Sequence, residues 1–334
     1  MRLALSEDMT PSDCQRPRDI PKRGLQDTAR EPRRPQEILR FRAGHLVELF
    51  EDGGNAFDAM FSAIKGAVDH IHLETYILRT DQLGRRLLAA IAERSRDGVS
   101  ARIIYDAVGS RGLDTEFVAR MARDGIEFEA FNPPSRWIWR FRPRQRDHRK
   151  MLLVDGQVGF LGGLNIGDEY VGQDDEGPTW RDAHLRIEGP ALTELEALFV
   201  ENWFRSGGTS FDWRSLVATE ANIAGDQSVA ILADGPSYRR RRLRAFFIDE
   251  LRRAEKKVLI VSPYFAPGPR VLDALSDASD RGVRIKVLLS GKTDHPILRR
   301  ASHVIVPRLS KRGIRVYEDT RRMMHAKLAV FDDQ

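Results

Sequence analysis

His148-Arg149-Lys150-Met151-Leu152-Leu153-Val154-Asp155 and His325-Ala326-Lys327-Leu328-Ala329-Val330-Phe331-Asp332 decide how this chain is read. Both follow one pattern: His-x-Lys, four further residues, then Asp. In an extended strand, side chains two positions apart point the same way. The spacing therefore predicts that His148 projects with Lys150, and His325 with Lys327. The residues between Lys and Asp are apolar and predict a buried strand. Gly156 suits a turn into a next strand at Val158 to Leu161, and Gly162-Gly163-Leu164-Asn165 follows. One such short pattern arises readily by chance and carries little weight. Two copies at matched places carry much more.

The surrounding text alternates helices and strands. Ala56 to Ala67, Leu83 to Arg96 and Leu113 to Arg123 have helical spacing, while His70 to Leu78, Val99 to Tyr105 and Ile126 to Phe131 predict strands. The same order returns with a helix at Leu243 to Ala254, a strand at Lys257 to Tyr264, a helix at Val271 to Ser279, and strands at Val283 to Leu289 and Ile314 to Tyr317. Strands separated by helices predict largely parallel sheets with helices packed on them. The halves also align: ETYIL (74–78) with SPYFA (262–266), AERSRDGVSARIIYD (92–106) with SDASDRGVRIKVLLS (276–290), and DGIEFEAF (124–131) with RGIRVYED (312–319). That spacing means a duplicated half-domain, not an array of short repeats. The expected division is a tail without regular structure over 1–40, a first half over 41–215 and a second over 216–334.

The pattern suits metal-free chemistry at phosphorus. A neutral imidazole can attack phosphorus and form a covalent phosphohistidine. A second, protonated imidazole can protonate the leaving alkoxide and later deprotonate the incoming alcohol. Lys150, Lys327 and the amide of Asn165 can bind non-bridging phosphate oxygens. A carboxylate beside each histidine would fix its tautomer, and Asp155 and Asp332 belong to the candidate catalytic set. No cofactor and no metal is called for.

Composition bounds the rest. The 334 residues carry 54 basic and 49 acidic side chains, a formal net of +5, which suits phosphate-bearing partners. The one cysteine, Cys14, excludes an intrachain disulfide. The opening MRLALSEDMT is broken by acidic residues and is not read as a signal peptide. No apolar run reaches 18 residues, so membrane contact is expected to be peripheral, at the cytoplasmic face.

The duplicated pattern resembles the signature of the phospholipase D superfamily. The flanking LETYIL, FNPP, GGLNIGDEYVG, WRDAHLRIEGPAL and SPYFAPG resemble bacterial cardiolipin synthases more narrowly. The resemblance covers roughly residues 44 to 334. It implies an α/β fold: duplicated α/β/α sandwiches, mixed sheets flanked by helices, with the active site between the halves. It also implies cardiolipin synthesis from phosphatidylglycerol by phosphatidyl transfer. His148 is then the nucleophile and His325 the acid/base, although the reverse order stays open. Asp182, in Trp180-Arg181-Asp182, resembles the carboxylate that orients the first histidine; an ordinary loop salt bridge is the competing reading. The family's second Gly-Ser-x-Asn element is absent here, so the chain is expected to be truncated and His325 to lack a partner.

Two rivals remain: a phosphodiesterase or nuclease acting on another diester, and an inactive phosphate- or membrane-binding fragment. Residues 135–149 (SRWIWRFRPRQRDHR) place Trp137, Trp139 and Phe141 among arginines, as either a lipid-facing loop or a strand with its rings in the core. SYRRRRLRAFF (237–247) is a second basic cluster, read as a solvated helix start. Phospholipid and the membrane surface are the expected partners, and nucleic acid is disfavoured.

Overall fold

The computed structural model describes residues 39–133, 146–171, 180–211, 223–233 and 241–332. Most of the 1–40 tail and the Trp137–Arg144 stretch of the basic aromatic segment lie outside the described residues, as do residues 212–222 of the join and residues 237–240 of the second basic cluster.

The first half opens with β1 (Arg42–Phe50), α1 (Gly53–Gly66) and β2 (His70–Thr75), followed by α2 (Gln82–Arg96), β3 (Ser100–Asp106), α3 (Thr115–Arg123) and β4 (Ile126–Phe131). It closes with β5 (Met151–Val154), β6 (Val158–Gly162), β7 (His184–Glu188), α4 (Leu192–Ser206) and β8 (Gln227–Val229). The second half has α5 (Arg241–Arg253), β9 (Lys257–Val261), α6 (Pro269–Asp280), β10 (Arg284–Ser290), α7 (Pro296–Lys311), β11 (Arg315–Asp319) and β12 (Leu328–Phe331).

Local sequence explains the helix ends. Asp52, Asp81 and Asp114 each accept a hydrogen bond from the backbone N–H three residues on, capping α1, α2 and α3. Asp52-Gly53 therefore starts a helix. Gly98 and Gly282 follow α2 and α6 with φ +97° and +90°, a conformation only glycine adopts without strain.

The strands form an eight-stranded sheet, β4-β3-β2-β5-β6-β7-β1-β8, and a four-stranded sheet, β11-β10-β9-β12. The first four strands of one repeat the order of the other. In both, three parallel strands are followed by an antiparallel one carrying the His-x-Lys motif at its entrance. The duplication is thus visible in topology. The sheets are mixed, not largely parallel, because β5, β6, β7, β1 and β8 all pair antiparallel.

Alternation along each strand separates the two faces. Ile71, Leu73 and Ile103 join Phe57, Leu87, Leu88 and Ile91 of α1 and α2 in one buried cluster. Ile104, Met151 and Leu153 look the other way and meet Leu192, Leu195, Phe199 and Trp203 of α4. In the second half, Val258, Ile260, Ile285 and Val287 bury against Leu251 of α5 and Leu275 of α6. The first sheet is thus covered by helices on both faces, and in the second the described helices cover one face; the two sheets deliver both motifs to one place.

Candidate active site

His148 and Lys150 lie just before β5, and His325 and Lys327 just before β12, not within the strands as the spacing suggests. One device holds each lead-in. The N–H of Asp147, one residue before His148, donates to Oδ2 of Asp106 at the end of β3, 3.0 Å away. The N–H of Met324, one residue before His325, donates to Oγ of Ser290 at the end of β10, also at 3.0 Å. Lys150 Nζ donates back to the His148 carbonyl at 2.8 Å, and Lys327 Nζ to that of His325 at 2.7 Å.

The halves are joined beside the motifs. Arg181 N donates to the Met323 carbonyl and His325 N to the Arg181 carbonyl, both at 2.7 Å. That bridge brings Asp182 onto His325, with Oδ2 2.7 Å from Nδ1. The Asp182 side chain is fully buried, and the histidine is 13 % exposed. Asp182 therefore orients the second histidine, not the first, and the expectation that His325 lacks a partner is overturned. The sequence could not show this, because the pair is separated by 143 residues. Lys327 Nζ stands 2.8 Å from His325 Nε2. Among the described residues no carboxylate hydrogen-bonds the His148 ring; Tyr76 stacks on it with ring centroids 4.0 Å apart.

Burial holds the His148 imidazole down to about 4, assisted by the Lys150 charge and, more weakly, by that of Lys327, so the ring is neutral at ordinary pH. Burial likewise lowers both lysines to about 8. The Lys327 charge contributes to the Lys150 shift, which places the ammonium group of one half near that of the other. Two lysine ammonium groups beside a neutral imidazole can serve as donors to an anion.

Three expected site residues do other work. Asp155, with φ +53°, accepts hydrogen bonds from the backbone N–H groups of Val68, Asp69 and His70 at 2.8 to 2.9 Å. Asp332, with φ +54°, does the same for Glu255, Lys256 and Lys257 at the start of β9. The strand carries both carboxylates to the far end from the histidines, where they satisfy a neighbouring strand's first donors. Neither is in the catalytic cluster. Asn165, 1 % exposed, accepts from Ile77 N–H at 3.1 Å and donates to the Tyr170 hydroxyl at 2.6 Å, which commits much of its amide to the scaffold.

Aromatic rings that the sequence did not single out line the site. Trp180 and Tyr264 approach His325 with ring centroids 5.4 and 6.1 Å away. Gly163 is required beneath them: a Cβ there would lie 1.9 Å from Asp182 Oδ1. His184, 2 % exposed on β7, is held neutral by burial, at about 4. Among the described residues, His70, His72 and Glu196 are the one group with metal-ligand character. Glu196 already bridges the two rings, with Oε1 3.0 Å from His70 Nε2 and Oε2 2.7 Å from His72 Nδ1. Burial pushes the Glu196 carboxyl up, but the two histidine hydrogen bonds outweigh it and hold it near 2. The trio is a buried ion-pair seam under α4.

A duplicated α/β/α frame with two His-x-Lys motifs at the junction defines the phospholipase D class of fold. In agreement, the crystal structure of phosphatidylserine synthase from Haemophilus influenzae Rd KW20 superposes with a TM-score of 0.62 over 90% of this chain and 80% of that one, at 13% identity. The family model "Cardiolipin synthase, PLD-like domain" matches residues 60–203 and 247–334. The chain belongs to that family. It is 35% identical over 289 residues to the cardiolipin synthase of Alkalihalophilus pseudofirmus and 36% identical over 297 residues to cardiolipin synthase 1 of Bacillus cereus. Each match covers 86% of this chain and 58% of the relative, so the chain spans a little over half the length of those proteins.

Proposed function

We propose that this site transfers a phosphatidyl group between alcohols, as in cardiolipin synthesis from phosphatidylglycerol. The observation that carries the reading is the convergence of both His-x-Lys motifs, with Asp182 of one half on His325 of the other, in a member of this family.

The neutral His148 ring attacks phosphorus, forming a P–N bond as the P–O bond to the leaving glycerol breaks. His325, as imidazolium paired with Asp182, gives its Nε2 proton to the departing oxygen. An incoming alcohol, such as the glycerol headgroup of a second phospholipid, then loses its proton to His325. Its oxygen attacks phosphorus, the P–N bond breaks, and His148 is released neutral. Lys150 and Lys327 hold the non-bridging oxygens through both steps. The two steps are near mirror images, which suits a duplicated fold. The corresponding domains are the two halves, 41–215 and 216–334, except that β8 (Gln227–Val229) pairs with β1 and so belongs to the first-half sheet.

Among the described residues no helix is long and apolar enough to cross a membrane. A peripheral position on the cytoplasmic face fits a lipid substrate and the basic start of α5. The test is incubation with phosphatidylglycerol vesicles and mass spectrometry of the lipids, with His148→Ala in parallel. Cardiolipin from the wild type alone supports the reading. A hydrolysis product alone would move the assignment to a phosphodiesterase.

A further inference from the structure

Glu74 and Asp147 are both buried, and one nitrogen serves both carboxylates. Asn202 Nδ2, from α4, lies 2.9 Å from Glu74 Oε1 and 2.9 Å from Asp147 Oδ2. Glu74 is 0% exposed and Asp147 6%. The cation paired with Glu74, Arg149, has Nη1 3.5 Å from Glu74 Oε1, and that nitrogen also donates to the Leu198 carbonyl at 3.3 Å. Glu74 Oε2 is met by no donor among the described residues. Two full negative charges sharing one amide, with a single guanidinium paired to Glu74, would be disfavoured in so dry a place. A proton on Glu74 removes both problems: the orphan oxygen becomes a donor, and Asp147 is the acceptor beside it.

We propose that Glu74 and Asp147 hold one proton between them at neutral pH, and that this acid pair is the fixture that positions His148 and Lys150. Residues 146–150 lie outside the named strands; a backbone bond from Gly162 N–H to the Lys150 carbonyl at 3.3 Å ties their end to β6, and side chains hold the rest. Asp147 is their anchor. Its N–H donates to Asp106, its Oδ1 accepts from Arg149 N–H at 3.1 Å, and its Oδ2 takes Asn202. Asp106 in turn accepts from Val108 N–H, Gly109 N–H and Arg146 Nη1. The charged and titratable groups facing the pair are thus Arg149, Arg146, Lys150 and His148 from the same segment, Asp106 from β3, and His72 next along the same face of β2. Burial, then the neighbouring Asp147 charge, raises the Glu74 carboxyl well above the usual carboxylate range, while Arg149 opposes this. The pair belongs to one half only: Ser262 and Met324 occupy the matching places in the other. It therefore distinguishes the His148 side of a duplicated site from the His325 side.

The proton sharing stands without the proposed reaction; the positioning role rests on that reading. The test uses the full chain with Glu74→Gln and Glu74→Leu. The infrared difference spectrum of wild type minus Glu74→Gln at pH 7 should contain the C=O stretch of a protonated carboxylic acid. Because the folded state binds the proton more tightly than the unfolded one, wild-type stability should fall as pH rises above about 4.5. Glu74→Gln lacks that decline, so its Tm should gain on the wild type as pH rises. In Glu74→Leu the His148 ring resonances should shift, and kcat should fall roughly tenfold with KM within about twofold. No acid band, with Glu74→Gln less stable than wild type at pH 7, would show an ionised Glu74 paired with Arg149 and overturn the proposal. A folded Glu74→Leu with unmoved His148 resonances would overturn the positioning role. Both readouts work without turnover, so a failure of the proposed reaction is seen separately. If Glu74→Leu does not fold, ring shifts in Asn202→Ala test the same anchor.

Discussion

Asp182→Asn isolates the link between the halves. The exchange keeps the side-chain shape, and the amide oxygen can still accept from Ala183 N–H, as Oδ1 does now at 2.8 Å. What it removes is the negative acceptor 2.7 Å from His325 Nδ1. A charge-assisted hydrogen bond of this kind contributes about 1.5–3 kcal/mol, or roughly 10- to 100-fold in the step that depends on it. The tautomer adds to that. Asp182 fixes the proton on Nδ1 and leaves Nε2 facing Lys327 and the substrate. An asparagine that turns its NH2 to the ring inverts this, and in a comparable His–Asp arrangement the wrong tautomer costs on the order of 10⁴ in kcat. The expected loss is therefore about 10²- to 10⁴-fold in kcat with little change in KM. Phosphatidylglycerol turnover by mass spectrometry measures it, with 15N spectra of His325 reporting the tautomer. Activity within about threefold of wild type, in a variant whose spectra show the tautomer has flipped, would refute the role given to this pair.

The remaining expectations concern pH and scaffold. With His148 near 4 and both lysines near 8, kcat/KM should stay high between those values, losing its nucleophile to protonation below about 4 and its phosphate-binding charge above about 8. Bound phosphate raises lysine pKa values, so the alkaline limb of kcat should lie above that of kcat/KM; coincident limbs would argue against phosphate contact by the lysines. Asp155→Ala should destabilise the fold by about 3 kcal/mol in denaturant unfolding, since three N–H groups lose their acceptor at a position with positive φ, while a turnover defect with unchanged stability would return Asp155 to the chemistry. Gly163→Ala should abolish turnover with the far-ultraviolet spectrum intact, because its Cβ would displace Asp182; full activity would show that Asp182 can move without consequence.

The motifs and the strand–helix alternation could be read from local sequence because they depend on residues close together in the chain. What lay beyond it depended on distance or on shared roles. His325 and Asp182 meet only through the Arg181 backbone bridge, which no spacing announces. Asp155 and Asp332 were placed with the histidines because their motif is contiguous. Yet the four-residue strand between Lys and Asp carries the carboxylates away to the start of β2 and β9. The alternation points to more parallel pairing than the sheet has, because antiparallel β5, β6 and β7 come in short pieces with no α-helix between them. α7 has no legible amphipathic period, because Pro307 lies inside it and its apolar Ile297 and Val304 face solvent. The acid pair was invisible for a similar reason: Glu74, Asp147 and Asn202 come from β2, the β5 lead-in and α4.

The most direct test of the account is to find the covalent intermediate. The wild-type chain would be mixed with phosphatidylglycerol vesicles, quenched during turnover in alkali, where phosphohistidine survives, and its peptides sequenced by mass spectrometry. The account predicts a phosphatidyl-derived adduct on His148 that is absent from His148→Ala. An adduct on His325 instead would reverse the roles of the two halves. Cardiolipin formation that persists in His148→Ala, with no adduct on either histidine, would contradict the mechanism outright.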